Sequence, residues 1–110
     1  MARNQLSALL SHKIVFLENK SRNELEEQNW QEIYSSFAEI KPMYDNKFGS
    51  IEKFNFGHIV TEAFFMFKIR FTDQVNPKMR ICFSRRIFEI KRIINIAEKN
   101  KILQIIALEI

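Results

Sequence analysis

The sequence predicts one mainly β domain spanning residues 1–110, and three observations support this fold class. Apolar and polar residues alternate from Thr61 to Phe71, which is the period of a half-buried strand. Twelve of the sixteen isoleucines lie from Ile59 onward, and β-branched side chains favour strands because their χ1 rotation is restricted. Short polar segments, TDQVNPK and AEKN among them, separate the apolar runs at a spacing typical of turns between strands.

The first half of the chain contains one clear strand and one ambiguous segment. HKIVFLE, residues 12–18, predicts a strand, and residues 6–10 predict a short leading helix or an arm before it. From Leu25 to Ile40 the apolar residues follow helical spacing, so local patterning alone predicts a helix there. Pro42 ends that element. Residues 43–60, which contain both glycines of the chain, predict a long loop with a helical turn around residues 51–54.

Four strands are predicted in the second half of the chain. They are Thr61–Phe71, MRICF (residues 79–83), FEIKRIINI (88–96) and KILQIIALEI (101–110). The third has an alternative, because four apolar residues also fit helical spacing and Ser84 is available as an N-cap. They are Ile87, Ile90, Ile94 and Ala97. The density of isoleucine and the regular turns favour strands arranged as a meander.

Composition excludes several classes of protein. Hydrophobic residues make up 46% of the chain and charged residues 27%, which indicates a globular protein rather than a disordered or collagen-like one. The single cysteine, Cys82, cannot form an internal disulfide, so a reducing cytoplasm is the expected site of synthesis. Charged residues interrupt every apolar run before it reaches the length of a membrane helix, and no membrane span is expected.

Positive charge is concentrated in the second half of the chain. Residues 56–110 carry ten basic and five acidic side chains, a net of +5, whereas residues 1–55 carry seven and eight, a net of −1. A local positive field attracts phosphate groups. The alternative is an ordinary solvated sheet face, since the chain has no uninterrupted basic run.

The sequence contains no arrangement of residues that indicates catalysis, a cofactor or a bound metal. His12, His58 and Cys82 follow no recognisable metal-ligand spacing, and the two glycines cannot build a phosphate-binding loop. Phenylalanines in the strand from Thr61 to Phe71 could stack nucleobases, but aromatic residues at a period of two on a strand are more often core. We therefore predict a protein that is not an enzyme.

The last predicted strand is apolar on both faces. Leu103, Ile105 and Ala107 share one face. A domain this small cannot cover both faces of several strands, and an exposed apolar face or edge strand of this kind marks a protein interface. We therefore predict contacts with further copies or with partners on the other face, at Ile102, Ile106, Leu108 and Ile110.

The order of these segments resembles a known family. HKIVFLE is followed by Trp30, by SFAEIKPM where a W/F-A-E-hydrophobic-x-P pattern is expected, and then by FKIRFTDQVNPKMRICF, RRIFEIKRIIN and KILQIIALE. This succession resembles the head-tail joining proteins of tailed bacteriophages, also called head-tail adaptor or head completion (stopper) proteins. Two positions depart from the pattern. Phe37 replaces the usual tryptophan, a change that a core should tolerate, and the turn before Arg86 lacks the family's glycine.

The resemblance implies a small β-barrel of mixed topology with about six strands and a long loop between strands 2 and 3. It implies that residues 35–42 are a strand, against their helical spacing. The implied function is that of a virion structural protein, made in the bacterial host cytoplasm, which forms a ring in the head-tail connector and helps retain packaged DNA. Its partners would be copies of itself, the portal or adaptor protein and tail proteins, with non-specific contact to double-stranded DNA. The alternative is a small β-barrel that binds single-stranded nucleic acid.

Two sets of site residues follow from this expectation. A basic surface towards DNA or the portal is predicted at Arg85, Arg86, Lys91 and Arg92, although regular strand alternation would send neighbouring members to opposite faces. The resemblance also implies a loop facing the channel between Met43 and Val60. Its candidate residues are Met43, Tyr44, Asp45, Asn46, Lys47, Phe48, Gly49, Ser50, Ile51, Glu52, Lys53, Phe54, Asn55, Phe56, Gly57 and His58.

Overall fold

The computed structural model describes residues 10–22, 27–43 and 64–110, and within these ranges six β-strands form a closed barrel. The order around the barrel is β1-β2-β3-β6-β5-β4, and β4 pairs with β1 to close it. The predicted mainly β fold and the six-stranded barrel are therefore confirmed. The strands are β1 (His12–Asn19), β2 (Trp30–Pro42), β3 (Phe64–Arg70), β4 (Arg80–Phe83), β5 (Arg86–Asn95) and β6 (Ile102–Glu109).

All six strand pairings are antiparallel, so the expected mixed topology is wrong. The chain reverses direction from each strand to the next, even where the connection from β3 to β4 crosses one end of the barrel. We call that end the lower end; it carries Asn19, Trp30, Arg70, Arg80 and Asn95. We call the opposite end the upper end; it carries His12, Pro42, Phe64, Arg86 and Glu109.

β2 is long because it pairs with two strands in succession. Its first part pairs with β1 and its last part with β3, so Ala38 lies opposite both His12 and Ile69. The helix predicted between Leu25 and Ile40 is wrong in the part that the structure describes, from residue 27. Hydrogen bonds to two neighbouring strands outweigh a helical spacing of apolar residues. The strand implied for residues 35–42 is confirmed.

Side chains at alternate strand positions fill the inside of the barrel. The rings of Phe65 and Phe67 meet that of Phe88 edge to face, with centroids 5.3 and 5.0 Å apart. Burial of a large apolar side chain stabilises a fold by about 1.5–3 kcal/mol. A barrel of this size has room only for its own side chains. The buried core comprises Ile14, Phe16, Ala38, Phe67, Ile69, Met79, Ile81, Phe88, Ile90, Leu103, Ile105 and Ala107.

The turns at the two ends place non-glycine residues at positive φ. Ser84 (φ 51°) and Arg85 (φ 66°) form the two-residue loop between β4 and β5, a geometry that glycine and asparagine favour. Between β5 and β6, after a short 3₁₀ turn at Ile96–Glu98, Asn100 has a φ of 56°. The Asn95 Nδ2 donates to Asn100 Oδ1 over 2.7 Å, and the Asn100 N–H donates back to Asn95 Oδ1 over 3.1 Å. These side chains satisfy groups that the turn leaves unpaired.

Residues 1–9, 23–26 and 44–63 lie outside the described residues. The predicted leading helix or arm and the channel loop with its helical turn fall there, except for Leu10 and Met43, which are buried. β2 ends and β3 begins at the upper end of the barrel. The Met43 N–H donates to the Phe64 carbonyl over 3.0 Å. The described residues on either side of 44–63 are therefore adjacent in space.

Candidate functional site

The described residues contain no group of three or more histidine, cysteine, aspartate or glutamate side chains placed to hold a metal ion. Nor is any helix in that part of the chain long and apolar enough to cross a membrane. His12 packs its ring edge-on against Phe83 at 5.4 Å, and Cys82 is half-buried opposite Val15. His58 lies outside the described residues. Because the core fills the barrel, a functional site has to be sought on its ends and its outer surface.

An ion pair closes the upper end of the barrel. Arg86 lies opposite Phe83 and Glu109 opposite Phe88, so both charged side chains belong to the inner face. Arg86 donates from Nε to Glu109 Oε2 and from Nη2 to Oε1, both over 2.9 Å. Its Cζ lies 4.9 Å from the centroid of the Phe65 ring and 5.2 Å from that of Phe88. The hydrogen bonds lower the pKa of Glu109 and raise that of Arg86.

The four residues of the predicted basic surface occupy different environments. Arg86 is paired as described, and Arg85 is exposed beside it at the tip of the turn between β4 and β5. A β-bulge in β5 brings Lys91 and Arg92 together on the outside, since the register shifts between Ile90 and Arg92 and both basic side chains are exposed. Regular alternation would have separated these two residues. The additional residue of the bulge cancels that separation.

Carboxylates offset part of this positive charge. Lys91 Nζ lies 2.6 Å from Glu89 Oε1. The resulting hydrogen bond and attraction lower the pKa of Glu89, with a smaller contribution from Arg80. Arg85 and Arg92 form no ion pair with any residue in the ranges 10–22, 27–43 and 64–110. Within the described chain, these two arginines are therefore the members of the set that no carboxylate neutralises.

The outer face of β6 is apolar and half-exposed. Ile106 lies between Met66 of β3 and Arg92 of β5, and Leu108 faces outward on the same strand. Ile102, Ile106 and Leu108 are partly exposed, and Ile110, just beyond the strand, is 56% exposed. All four candidate interface residues therefore lie on or next to one surface.

One of the two sequence predictions for β6 is confirmed and the other is wrong. The two-faced pattern is confirmed, because Leu103, Ile105 and Ala107 are buried and their neighbours are not. The expectation of an edge strand is wrong. β6 forms hydrogen bonds with β3 on one side and with β5 on the other, so β6 itself has no free edge. What remains partly exposed is the outer face of β6.

The surface has a second apolar feature that was not predicted from the sequence. Phe37, expected in the core in place of a tryptophan, is 55% exposed on the outer face of β2. Ala38 takes the core position instead and is fully buried, because neighbouring side chains on a strand point to opposite faces. The sequence could have shown this. If residues 35–42 form a strand, Ala38 and Ile40 share its inner face and Phe37 lies on its outer face.

Among the described residues, two shallow hollows lie on the outside of the barrel. One, of about 260 Å³, lies along the same face as Phe37 and is lined by Val15, Glu32, Ile33, Tyr34 and Ser35. The other, of about 290 Å³, lies at the lower end and is lined by Glu18, Asn19, Trp30, Asn76, Lys78 and Met79. Arg80 places its Cζ 4.2 Å from the centroid of the Trp30 ring there, and Trp30 Nε1 donates to Gln28 Oε1 over 3.2 Å.

The phenylalanines of β3 are not a platform for stacking nucleobases. Phe67 is fully buried, and Phe65 packs against the core beneath Arg86. The interpretation as core residues is confirmed for Phe65 and Phe67 and is wrong for Phe71. Phe71, just after β3, is 38% exposed, but it stands alone at the lower end.

These observations define a class: a small antiparallel β-barrel with a filled interior, which can contact other molecules only through its outside. Family comparison identifies it further. The chain belongs to the phage head completion protein family, whose model matches residues 7–110. It is therefore a phage structural protein and a virion component, and the resemblance noted in the sequence is confirmed.

Two solved structures share the fold. The chain is similar to protein SF1141 from Shigella flexneri 2a, determined in solution, with 20% sequence identity, a TM-score of 0.64 and coverage of 91% of this chain and 92% of that one. It is also similar to a chain in the virion of a native gene transfer agent particle, with 18% identity, a TM-score of 0.61 and coverage of 92% and 96%. A comparison with curated proteins finds no match.

Proposed function

We propose that the protein forms a ring in the head-tail connector of a tailed-phage particle, joins the portal or an adaptor to the tail, and helps retain packaged DNA. The observation that carries this proposal is the match to phage head completion proteins along residues 7–110, a range that includes every strand of the barrel. The related fold in a gene transfer agent virion supports it further.

The outer surface supports the assembly part of the proposal. Monomeric proteins seldom leave several apolar side chains uncovered together, and such patches usually mark interfaces. The outer face of β6 with Ile102, Ile106 and Leu108 is one patch, continued by Ile110, and Phe37 is another apolar feature on β2. Contacts between different patches of successive copies produce a ring when the rotation closes.

The positive charges support contact with DNA phosphates or with an acidic portal surface. Arg85 and the Lys91–Arg92 bulge are exposed, and phosphate contacts of this kind hold a polyanion without reading its bases. Arg86 contributes less to such a surface, because Glu109 neutralises it. We place the segment from Met43 to His58 at the channel, since both strands that flank it meet at the upper end, where Arg85 also lies.

Deletion of the gene from the phage or prophage that carries it tests the proposal. Electron microscopy of the resulting particles should show heads that have packaged DNA, or have lost it after packaging, without attached tails. Expression of the wild-type chain from a plasmid should restore tailed particles. Tailed, infectious particles formed at normal yield without the protein would overturn the proposal.

A second measurement separates DNA retention from tail joining. Complementation with a chain in which Arg85 is serine should give tailed particles that lose DNA at lower temperature than wild-type particles, measured as release of nuclease-sensitive DNA on heating. A control chain with Lys78→Ser removes one exposed positive charge at the lower end and should leave that temperature unchanged. Equal release of DNA from all three kinds of particle would remove Arg85 from the proposal.

A further inference from the structure

We infer that successive copies of the chain meet through two different faces on opposite sides of the barrel, the Phe37 face of one copy against the β6 face of the next. The Phe37 face comprises Phe37 and the hollow beside it, with Val15, Glu32 and Ser35. The β6 face comprises Ile106 and Leu108 with Arg92 beside them on β5. This inference rests on the proposed ring and names the contact that would build it.

The two faces lie across the barrel from each other. Phe37 pairs with Lys13 at the seam between β1 and β2, and Ile106 pairs with Arg92 at the seam between β5 and β6. In the closed order β1-β2-β3-β6-β5-β4, these seams are three steps apart in either direction. A copy that offers its Phe37 face to one neighbour therefore keeps its β6 face free for another. This is the arrangement that a heterologous assembly requires.

Both faces carry apolar side chains that are at least partly exposed. Phe37 is 55% exposed and stands beside a hollow of about 260 Å³. On the other face, Ile106 and Leu108 are partly exposed and stand outward from a strand that is sealed on both edges. A contact between the two faces would remove Phe37 of one copy and Ile106 and Leu108 of the next from water.

The charges on the two faces favour a contact between unlike faces over a contact between two identical faces. Glu32, at the hollow, and Arg92, beside Ile106, are both exposed, and neither forms an ion pair with another described residue. A contact between unlike faces brings Glu32 of one copy towards Arg92 of the next. A symmetric contact between two Phe37 faces would oppose two glutamates, and one between two β6 faces would oppose two arginines. Like charges placed together at an interface are unfavourable.

Single cysteines provide the test. In a Cys82→Ser background, Ser35→Cys marks the Phe37 face and Gln104→Cys marks the β6 face, and neither change removes Phe37, Glu32 or Arg92. We expect the two variants to form a disulfide-linked pair when they are mixed at high concentration under mild oxidation, and neither to do so efficiently alone. The chain that carries both cysteines should give a ladder of linked oligomers. Asp73→Cys, exposed in the crossing at the lower end, is the control partner for Gln104→Cys and should remain unlinked.

Two further variants test the energetics of the contact. Phe37→Ser should lower the yield of the mixed disulfide about tenfold, as expected when a central aromatic is lost from a small interface, whereas Phe71→Ser, another exposed phenylalanine, should leave it unchanged. Glu32→Arg should lower the yield, and Arg92→Glu in the partner copy should restore it. The absence of this rescue would overturn the role of the charge pair.

The failure of this inference can be distinguished from failure of the proposed function. The chain with both cysteines is also used to complement the deleted phage, and the linked ladder is sought in purified particles. A particle that requires the protein but contains no ladder, or that links Ser35→Cys only to itself, overturns the two-face contact and leaves the proposed function standing. Tailed particles formed without the protein overturn the function itself.

Discussion

The Arg86–Glu109 pair at the upper end of the barrel provides a quantitative test of the structure. Replacement of Arg86 by methionine keeps the apolar stem over Phe65 and Phe88 but removes the guanidinium. Two hydrogen bonds of 2.9 Å and two ring contacts near 5 Å are lost. The Glu109 carboxylate then remains at the mouth of the barrel without its partner.

The expected loss of stability is moderate, because water screens the pair. The Arg86 and Glu109 side chains are 39% and 34% exposed. A screened ion pair is worth at most about 1 kcal/mol, and the contact of the cation with the aromatic rings adds about 0.5–1 kcal/mol. We therefore expect Arg86→Met to lower the free energy of unfolding by about 1–2 kcal/mol. Lys20→Met, which breaks the Lys20–Glu18 pair of 2.7 Å, should cost less than about 0.5 kcal/mol, since no ring contact is known for it.

The assay is urea unfolding followed by circular dichroism and by the fluorescence of Trp30, the only tryptophan. A double-mutant cycle with Arg86→Met and Glu109→Gln isolates the interaction, with an expected coupling of about 1 kcal/mol at pH 7. The pKa of Glu109 is lowered in the folded state. The coupling should therefore be complete above the ordinary glutamate pKa of about 4.3 and disappear as the pH falls through the lower folded-state pKa. A coupling below about 0.3 kcal/mol at pH 7, or one unchanged at pH 3, would refute the reasoning.

Three further outcomes are expected. Arg85→Gly should raise the free energy of unfolding by about 1 kcal/mol, because Arg85 has a φ of 66°, and a lower urea midpoint would contradict this. Phe67→Ala should cost about 3–5 kcal/mol by opening a cavity in the core, whereas Phe37→Ala should cost less than about 1 kcal/mol in the same unfolding assay. Asn100→Ala should cost about 1–2 kcal/mol, because it breaks two hydrogen bonds with Asn95 and leaves alanine at a φ of 56°; thermal unfolding at the wild-type temperature would contradict that.

Much of the strand pattern could be predicted from the sequence because apolar side chains at a period of two face a common core. Ile69, Ile81, Phe88 and Ile105 lie at alternating positions of the predicted strands, and all are buried. The helical alternative for residues 87–97 does not occur, because β5 is held between β4 and β6. Local spacing could not decide this choice, since the deciding hydrogen bonds come from strands distant in sequence.

Features that depend on register could not be predicted. The bulge that places Lys91 and Arg92 side by side inserts one residue into β5. No residue type in that stretch predicts a bulge. Closure of the barrel removed the edge expected for β6, because whether a strand lies at an edge depends on the whole sheet. Arg86 was predicted to be a surface cation. It lies two residues before Phe88 on β5, so the two side chains share the inner face of the barrel.

Phe37 is the most instructive error at the candidate site. The expectation that it is buried followed from its aromatic character and from a family pattern, neither of which states which face of a strand a residue occupies. The alternation of side chains along β2 does determine the face of Phe37: because Ala38 is buried, its neighbour Phe37 points outward. An aromatic residue next to a small residue in a strand should therefore be assigned to a face only after the smaller residue has been placed.

The shortest seam of the barrel has a consequence for the order in which the chain acquires its structure. Only Val15, Phe16 and Leu17 pair with β4, at Cys82, Ile81 and Arg80, so more than sixty residues of chain are enclosed by three pairs. Such a distant contact costs loop-closure entropy before it returns much stabilisation, whereas the β4–β5 hairpin joins residues that are close in sequence. The hairpin is therefore expected to form early and the β1–β4 seam late. Backbone amides at the seam should be among the first strand amides to exchange with deuterium in the native protein.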